Sequence, residues 1–84
     1  MPDRPLGFDF HAACDRHDAC YVTPGAEKRA CDAGFLWNLD DACLTTAGDE
    51  RVRLCLRLAA EYYRAVRTWI GVLVFARAQR RYMP

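Results

Sequence analysis

The stretch CDRHDACY at residues 14–21 places a histidine and an aspartate side by side between two cysteines. It lies in a segment without glycine or proline whose apolar residues recur at helical spacing, so the sequence predicts a helix there. On that helix Cys14, His17 and Tyr21 lie near one face, and Asp18 lies about 100° further round. An imidazole and a carboxylate can therefore enter one cleft, where a general base is adjacent to an oxygen ligand for a hard cation.

The helical pattern of this first segment covers Phe8–Tyr21, and Thr23-Pro24-Gly25 after it is a turn signal. Apolar residues within Glu27–Thr46 recur at i, i+4 and i+8, which predicts a second helix. The segment Asp49–Arg80 keeps the helical period and contains one breaker, Gly71, where we expect a kink. The sequence therefore predicts an all-α fold, a small three-helix domain with a long third helix.

Length and composition limit the protein to a single domain over residues 1–84, because 84 residues cannot bury two cores. A balance of 12 basic against 11 acidic side chains argues against binding nucleic acid through bulk charge. A hydrophobic content of 52% excludes general disorder. The longest uncharged apolar stretch, Trp69–Ala76, is too short to span a bilayer. Charged residues within positions 1–16 stand where a signal peptide has its apolar core.

The chain contains five cysteines, far more than ordinary cytosolic proteins use. Such a density is typical of small domains that mature in an oxidising compartment and are held together by disulfides. Buried reduced thiols are the alternative, because a free cysteine behaves as a small hydrophobic residue. The odd number leaves one thiol without a partner inside this chain. The cysteines are Cys14, Cys20, Cys31, Cys43 and Cys55.

Secreted phospholipases A2, above all the small prokaryotic and fungal type, have an active-site helix that this sequence resembles. The matching segments are PLGFDF at residues 5–10 and ACDRHDACY at residues 13–21. The resemblance continues in CDxxFxxNLxxxC at residues 31–43 and YYxAVR at residues 62–67. It implies a calcium-dependent hydrolase of the sn-2 ester of glycerophospholipids. A lipid-degrading protein of this kind is disulfide-bonded, secreted and active at a phospholipid membrane surface.

The resemblance also implies roles for individual residues. His17 matches the base that takes a proton from the attacking water, and Asp18 matches the calcium-ligating aspartate beside it. We match Asn38 to the aspartate that orients the histidine, so its amide oxygen is expected to accept a hydrogen bond from the imidazole. Asp41, one turn later, is a poorer substitute, and Asn38 can also be interpreted as a polar residue of the helix surface.

A further calcium-loop aspartate of the related enzymes lies upstream of the segment that matches residues 5–10. We therefore expect this chain to lack an N-terminal calcium-loop segment, and we expect the partner of Cys14 to lie in that segment. The other cysteines are then expected to pair as Cys20–Cys31 and Cys43–Cys55, which makes the first two helices antiparallel and disulfide-linked. Four cysteines allow three connectivities, so this pairing is a hypothesis.

Other interpretations of the same residues stay open. His17 can be a core histidine and Asp18 a solvated acid on a helix. Cys14, His17 and Cys20 are zinc-ligand types, although the last lies about 240° from the first on a continuous helix. His11 lies outside the matched motif and is interpreted as a surface residue. The alternative function is a catalytically weak module of the same scaffold that binds lipid or a protein partner.

The C-terminal segment combines aromatic and cationic side chains. This composition suits an edge that binds an anionic lipid surface, and it equally suits a core stripe followed by a solvated tail. We expect a monomer whose partner is a phospholipid membrane. The residues concerned are Trp69, Phe75, Arg77, Arg80, Arg81 and Tyr82.

Overall fold

The computed structural model describes residues 2–82, and every regular element in that range is helical. A short 3₁₀ turn precedes four α-helices. This architecture confirms the all-α prediction. The elements are the turn Pro5–Gly7, α1 His11–Val22, α2 Lys28–Thr46, α3 Val52–Val66 and α4 Trp69–Tyr82.

Two disulfides fix the register of the first three helices. Cys20 near the end of α1 is bonded to Cys31 in the first turn of α2, with the Cα atoms 5.6 Å apart. Cys43 near the end of α2 is bonded to Cys55 in the first turn of α3, also with a Cα separation of 5.6 Å. Both predicted pairs are confirmed, and α1 and α2 are antiparallel. Each bridge closes a loop of roughly 12 residues and contributes about 3 kcal/mol of stability.

The core lies between α2 and α3, and the N-terminal segment covers one side of it. Phe10 meets the ring of Tyr62 edge to face at a centroid distance of 5.3 Å. The hydroxyl of Tyr62 donates to the carbonyl of Pro2 over 2.7 Å, which holds the chain start against α3. The largest of the fully buried side chains are Phe10, Asp32, Phe35, Leu39, Cys43 and Cys55. Asp32 is the single charged member of this group.

The segment predicted as one long third helix forms two helices, because helical structure is interrupted at Arg67 and Thr68. The break lies a few residues before Gly71, where the kink was expected. At Gly71 the backbone passes so close to α3 that an added Cβ would lie 1.8 Å from the carbonyl oxygen of Val66. The helical period continues across the break, so the apolar pattern alone does not reveal it.

After the break, α4 packs against α1. Phe75 meets Tyr21 edge to face at 5.0 Å between ring centroids. The amide nitrogen of Gln79 donates to the carbonyls of Tyr21 and Thr23 over 2.7 and 2.8 Å. These bonds satisfy carbonyls at the end of α1, where a helix leaves them without partners. Within residues 2–82 no helix combines the length and the apolar character needed to cross a membrane.

Replacing glycine by alanine is expected to change the free energy of unfolding in opposite directions at Gly71 and at Gly34. Gly71→Ala drives a methyl group into the backbone of Val66 and should lower the free energy of unfolding by about 1–3 kcal/mol. Gly34→Ala in α2 meets nothing within 4 Å and should raise it by about 0.5–1 kcal/mol. Urea denaturation followed by circular dichroism measures both. Equal effects of the two changes would contradict the close approach at Gly71.

Candidate active site

A buried ion-pairing contact joins α1 to α2. Nε2 of His17 donates to Oδ1 of Asp32 over 2.8 Å. The two side chains are 6% and 1% exposed. The Cys20–Cys31 disulfide explains the pairing, because His17 precedes one cysteine by a helical turn and Asp32 directly follows the other. In antiparallel helices these positions face each other.

Asp32 accepts hydrogen bonds from three side chains. Besides His17, the hydroxyl of Tyr21 donates to Oδ1 over 2.6 Å and the ammonium of Lys28 donates to Oδ2 over 2.5 Å. Burial by itself raises the pKa of Asp32, but the bonds from Lys28, Tyr21 and His17 outweigh burial and hold the pKa below its ordinary value. Asp32 is therefore a carboxylate. Burial, followed by the bond to Asp32, raises the pKa of Tyr21, which stays a neutral donor.

The carboxylate determines which imidazole nitrogen carries the proton. An ionised carboxylate can only accept, so Nε2 of His17 carries a proton, and in the neutral form of the ring Nδ1 is the nitrogen with the free lone pair. The ring is clamped between aromatic neighbours. It stacks on Phe35 at 4.3 Å between centroids and touches Tyr21 at 4.2 Å. A histidine held in one orientation and one tautomer is suited to general-base chemistry.

A cavity of about 200 Å³ opens beside this pair. His17 and Phe35 form part of its wall, and Asp18 and Asp3 supply carboxylates. The fifth lining residue, Cys14, is a free thiol, and burial followed by the nearby Asp3 raises its pKa to about 11. The thiol is therefore protonated at neutral pH and is not the nucleophile of this cavity.

The part of the chain that holds the cavity and the His17–Asp32 pair is similar to a known family. A model of the prokaryotic phospholipase A2 family matches residues 1–70. The chain belongs to the prokaryotic phospholipase A2 family. No curated protein and no solved structure matches it significantly. The match ends near the start of α4, so most of that helix lies outside it.

The cavity residues fit calcium, the cation that the family implies, only in part. Asp18 follows His17 directly and exposes a carboxylate, the oxygen ligand that a hard cation prefers. Asp3 is already engaged, since its Oδ2 accepts from Nδ1 of His11 over 3.0 Å. Residues 2–82 hold no group of three His, Cys, Asp or Glu side chains arranged for a metal ion. Asp18 thus fits one ligand position, and the described residues do not supply a complete set.

Asn38 does not occupy the position that the sequence predicted for it. Its Oδ1 accepts from Nη1 of Arg16 over 3.4 Å, whereas the partner of His17 is Asp32. The reason is the register of α2, because position 38 lies six residues, or about 9 Å, beyond Asp32 along the helix axis. Asp41 lies still further along and is exposed. The pairing of Cys20 with Cys31 contained the signal that could have identified Asp32.

The contacts also decide two other interpretations of α1, the zinc site and the surface position of His11. Cys20 is consumed in a disulfide, so the zinc set of Cys14, His17 and Cys20 is wrong. His11 is exposed, as predicted, and lies between two carboxylates. A hydrogen bond to Asp3 and the charge of Asp15 raise the pKa of His11.

Replacing Asp32 tests which residue supports the imidazole of His17. Asp32→Asn leaves the Lys28 ammonium without a counter-charge inside the protein, so we expect a loss of about 3–5 kcal/mol in unfolding free energy. Asn38→Ala removes only a bond to an exposed arginine and should change stability by less than about 0.5 kcal/mol. Urea denaturation compares the two variants. A larger cost for Asn38→Ala than for Asp32→Asn would reverse the assignment.

Proposed function

We propose that this protein hydrolyses the sn-2 ester of glycerophospholipids with the aid of calcium, and that His17 is its general base. The observation that carries the proposal is the buried hydrogen bond from His17 to Asp32, since His17 lines the same cavity as Asp18. The family membership supplies the substrate class. Asp32 takes the orienting role that was expected of Asn38.

The geometry supports a simple sequence of proton transfers. Nδ1 of His17 takes a proton from a water molecule, and that water attacks the carbonyl carbon of the sn-2 ester. The imidazolium that forms is stabilised by the Asp32 carboxylate on its other nitrogen. The proton then passes to the departing alkoxide, which releases a fatty acid and a lysophospholipid. General acid–base catalysis of this kind contributes about 10²–10⁴-fold in rate.

Calcium, ligated in part by Asp18, supplies positive charge for the lipid phosphate and for the developing oxyanion when it is bound. Oxidation of four cysteines in the described chain supports an extracellular location. The alternative is a catalytically weak module that binds lipid or a protein partner. The incomplete ligand set around Asp18 favours that alternative.

Hydrolysis is measured as fatty-acid release from mixed phospholipid vesicles, with calcium and with a chelator. We expect calcium-dependent release that falls at least about 100-fold in His17→Ala, because no other group replaces the base. His17→Gln should lose as much activity, since glutamine offers Asp32 a donor but cannot take a proton from water.

Circular dichroism and a thiol titration establish that each variant is folded and disulfide-bonded. Release that persists in both His17 variants would overturn the assignment of the base. Absence of release from the folded parent protein would favour the binding module.

A membrane surface is the partner that we propose for α4. The outward face of this helix exposes the large apolar side chains of Trp69, Ile70 and Leu73. Arg77 and Arg80 continue the same face and, with Leu73 and Val74, line a groove of about 400 Å³. The helix contains three arginines and no acidic residue, so its charge is complementary to anionic lipid.

The opposite face of α4 connects this surface to the catalytic residues. Phe75 contacts Tyr21, and the hydroxyl of Tyr21 donates to Asp32. An apolar helix with basic residues at one end is suited to the plane of a lipid interface. We therefore propose that α4 lies on an anionic bilayer and holds the protein at its substrate. The side chain of Tyr82, expected to join this edge, lies outside the described part.

The two tryptophans allow a direct test of lipid contact. Trp69 lies on α4 and is 71% exposed, whereas Trp37 lies on α2 and is 77% exposed. With Trp37→Phe, the remaining Trp69 should shift its emission to the blue and be quenched by brominated phosphatidylglycerol vesicles. With Trp69→Phe, the emission of Trp37 should stay unchanged.

Charge reversal separates an anionic surface from a purely apolar one. Arg77→Glu with Arg80→Glu should weaken vesicle binding by at least about tenfold, since each basic residue contributes about 1 kcal/mol at an anionic membrane. The matched control reverses Arg53 and Arg57, two exposed arginines of α3. Equal loss in both double variants would contradict docking through α4. Self-association of the protein without vesicles would show that a second copy covers this face.

A further inference from the structure

The chain has one lysine, and it lies at the candidate active site. Eleven of its twelve basic side chains are arginine, and the exception is Lys28. Its side chain is 18% exposed, and the ammonium has two close acceptors. It donates to Oδ2 of Asp32 over 2.5 Å and to the carbonyl of Val66 over 2.7 Å. The ring of Tyr21 lies 5.9 Å from Nζ.

Stability of α2 does not explain the position of Lys28. It is the first residue of α2, where the helix dipole disfavours a cation. The i, i+4 pair with Asp32 has the lysine on the N-terminal side, which is the weaker order for such a pair. The ammonium must therefore be held by what it contacts rather than by its helix.

The two oxygens of Asp32 have different partners. Oδ1 accepts from both His17 and Tyr21, and Oδ2 accepts from Lys28. The ammonium thus determines which way the carboxylate plane faces. With Oδ2 bound, the other oxygen is directed at Nε2 of the imidazole.

The second bond of Lys28 reaches the junction of α3 and α4. Val66 is the last residue of α3, and its carbonyl is one of those that a helix end leaves for other donors. Gly71 passes beside the same carbonyl, at a distance that a Cβ would not allow. The ammonium therefore connects α2 to the place where the chain turns into α4.

An ammonium suits this arrangement better than a guanidinium. A compact charge with three donors can serve two acceptors in different directions, whereas the planar arginine fork favours a single bidentate partner. In a chain that otherwise uses arginine, this geometry accounts for the one lysine.

We propose that Lys28 is a positioning residue that holds the Asp32 carboxylate on Nε2 of His17 and so fixes the tautomer of the imidazole. The catalytic part of this inference rests on the proposed hydrolysis. The structural part concerns the His17 ring and does not depend on turnover.

The test compares Lys28→Met and Lys28→Arg with the matched control Arg29→Met, which removes the neighbouring exposed cation. Long-range proton–nitrogen NMR, recorded at a pH where the spectrum itself shows neutral imidazole rings, reports the tautomer. The parent protein and Arg29→Met should show His17 protonated on Nε2 alone. Lys28→Met should show a mixture of tautomers, and Lys28→Arg, which keeps the charge but not the compact donor geometry, should restore only part of the Nε2 form. His11 is the internal reference in each spectrum and should not change.

Kinetics supply the second readout. Lys28→Met should lower kcat by about 10–100-fold and leave KM within about twofold, because misorientation of the base affects the reacting step rather than lipid binding. Lys28→Arg should recover less than about half of that loss on a logarithmic scale, because its planar fork does not serve two acceptors in different directions. If Lys28→Met does not fold, Lys28→Gln, which keeps one amide donor, replaces it in both measurements.

A folded Lys28→Met or Lys28→Gln with a single Nε2 tautomer and parental kcat would overturn the inference. A loss of kcat in Lys28→Met while His17 keeps a single Nε2 tautomer would also overturn it, since that result shows a structural role only. Mixed tautomers in a protein whose parent form does not hydrolyse lipid would support the inference and contradict the proposed hydrolysis.

Discussion

The buried carboxylate of Asp32 is the charge on which the arrangement of this protein depends. An ionised group with 1% of its surface exposed is costly unless donors surround it. Here the donors come from two helices, and Lys28 extends the network to a third through the carbonyl of Val66. The same contacts that make the burial tolerable orient the imidazole of His17. Stability and site geometry are therefore properties of one hydrogen-bond network.

The two faces of α4 differ in what they contact. Its inner face supports the network through Phe75 and Gln79, which contact Tyr21 and the end of α1. Its outer face carries exposed apolar and basic residues. Because α4 begins at the sharp turn beside Gly71, the direction of the outer face is tied to the backbone that receives Lys28. The exposed apolar and basic surface and the carbonyl that accepts from Lys28 are thus connected through one short stretch of backbone.

Much of this could be predicted from the sequence, and what could not has identifiable reasons. Helical periods gave the helices, and the cysteine pattern with the family resemblance gave both disulfides. The break after Val66 was missed because the apolar period continues through it. Asp32, next to Cys31, was quoted only as part of the CDxxFxxNLxxxC segment. The role of orienting His17 was matched to Asn38 instead. Only the register set by the Cys20–Cys31 bond distinguishes the two positions.

That bond has a consequence for the history of each molecule. The register that opposes His17 to Asp32 is enforced by a link between two sulfur atoms, and that link forms only under oxidation. A newly made chain in a reducing compartment has the same side chains without the covalent constraint between them. Maturation of the site is thereby coupled to the environment that the chain enters, and the fully constrained form arises where thiols are oxidised.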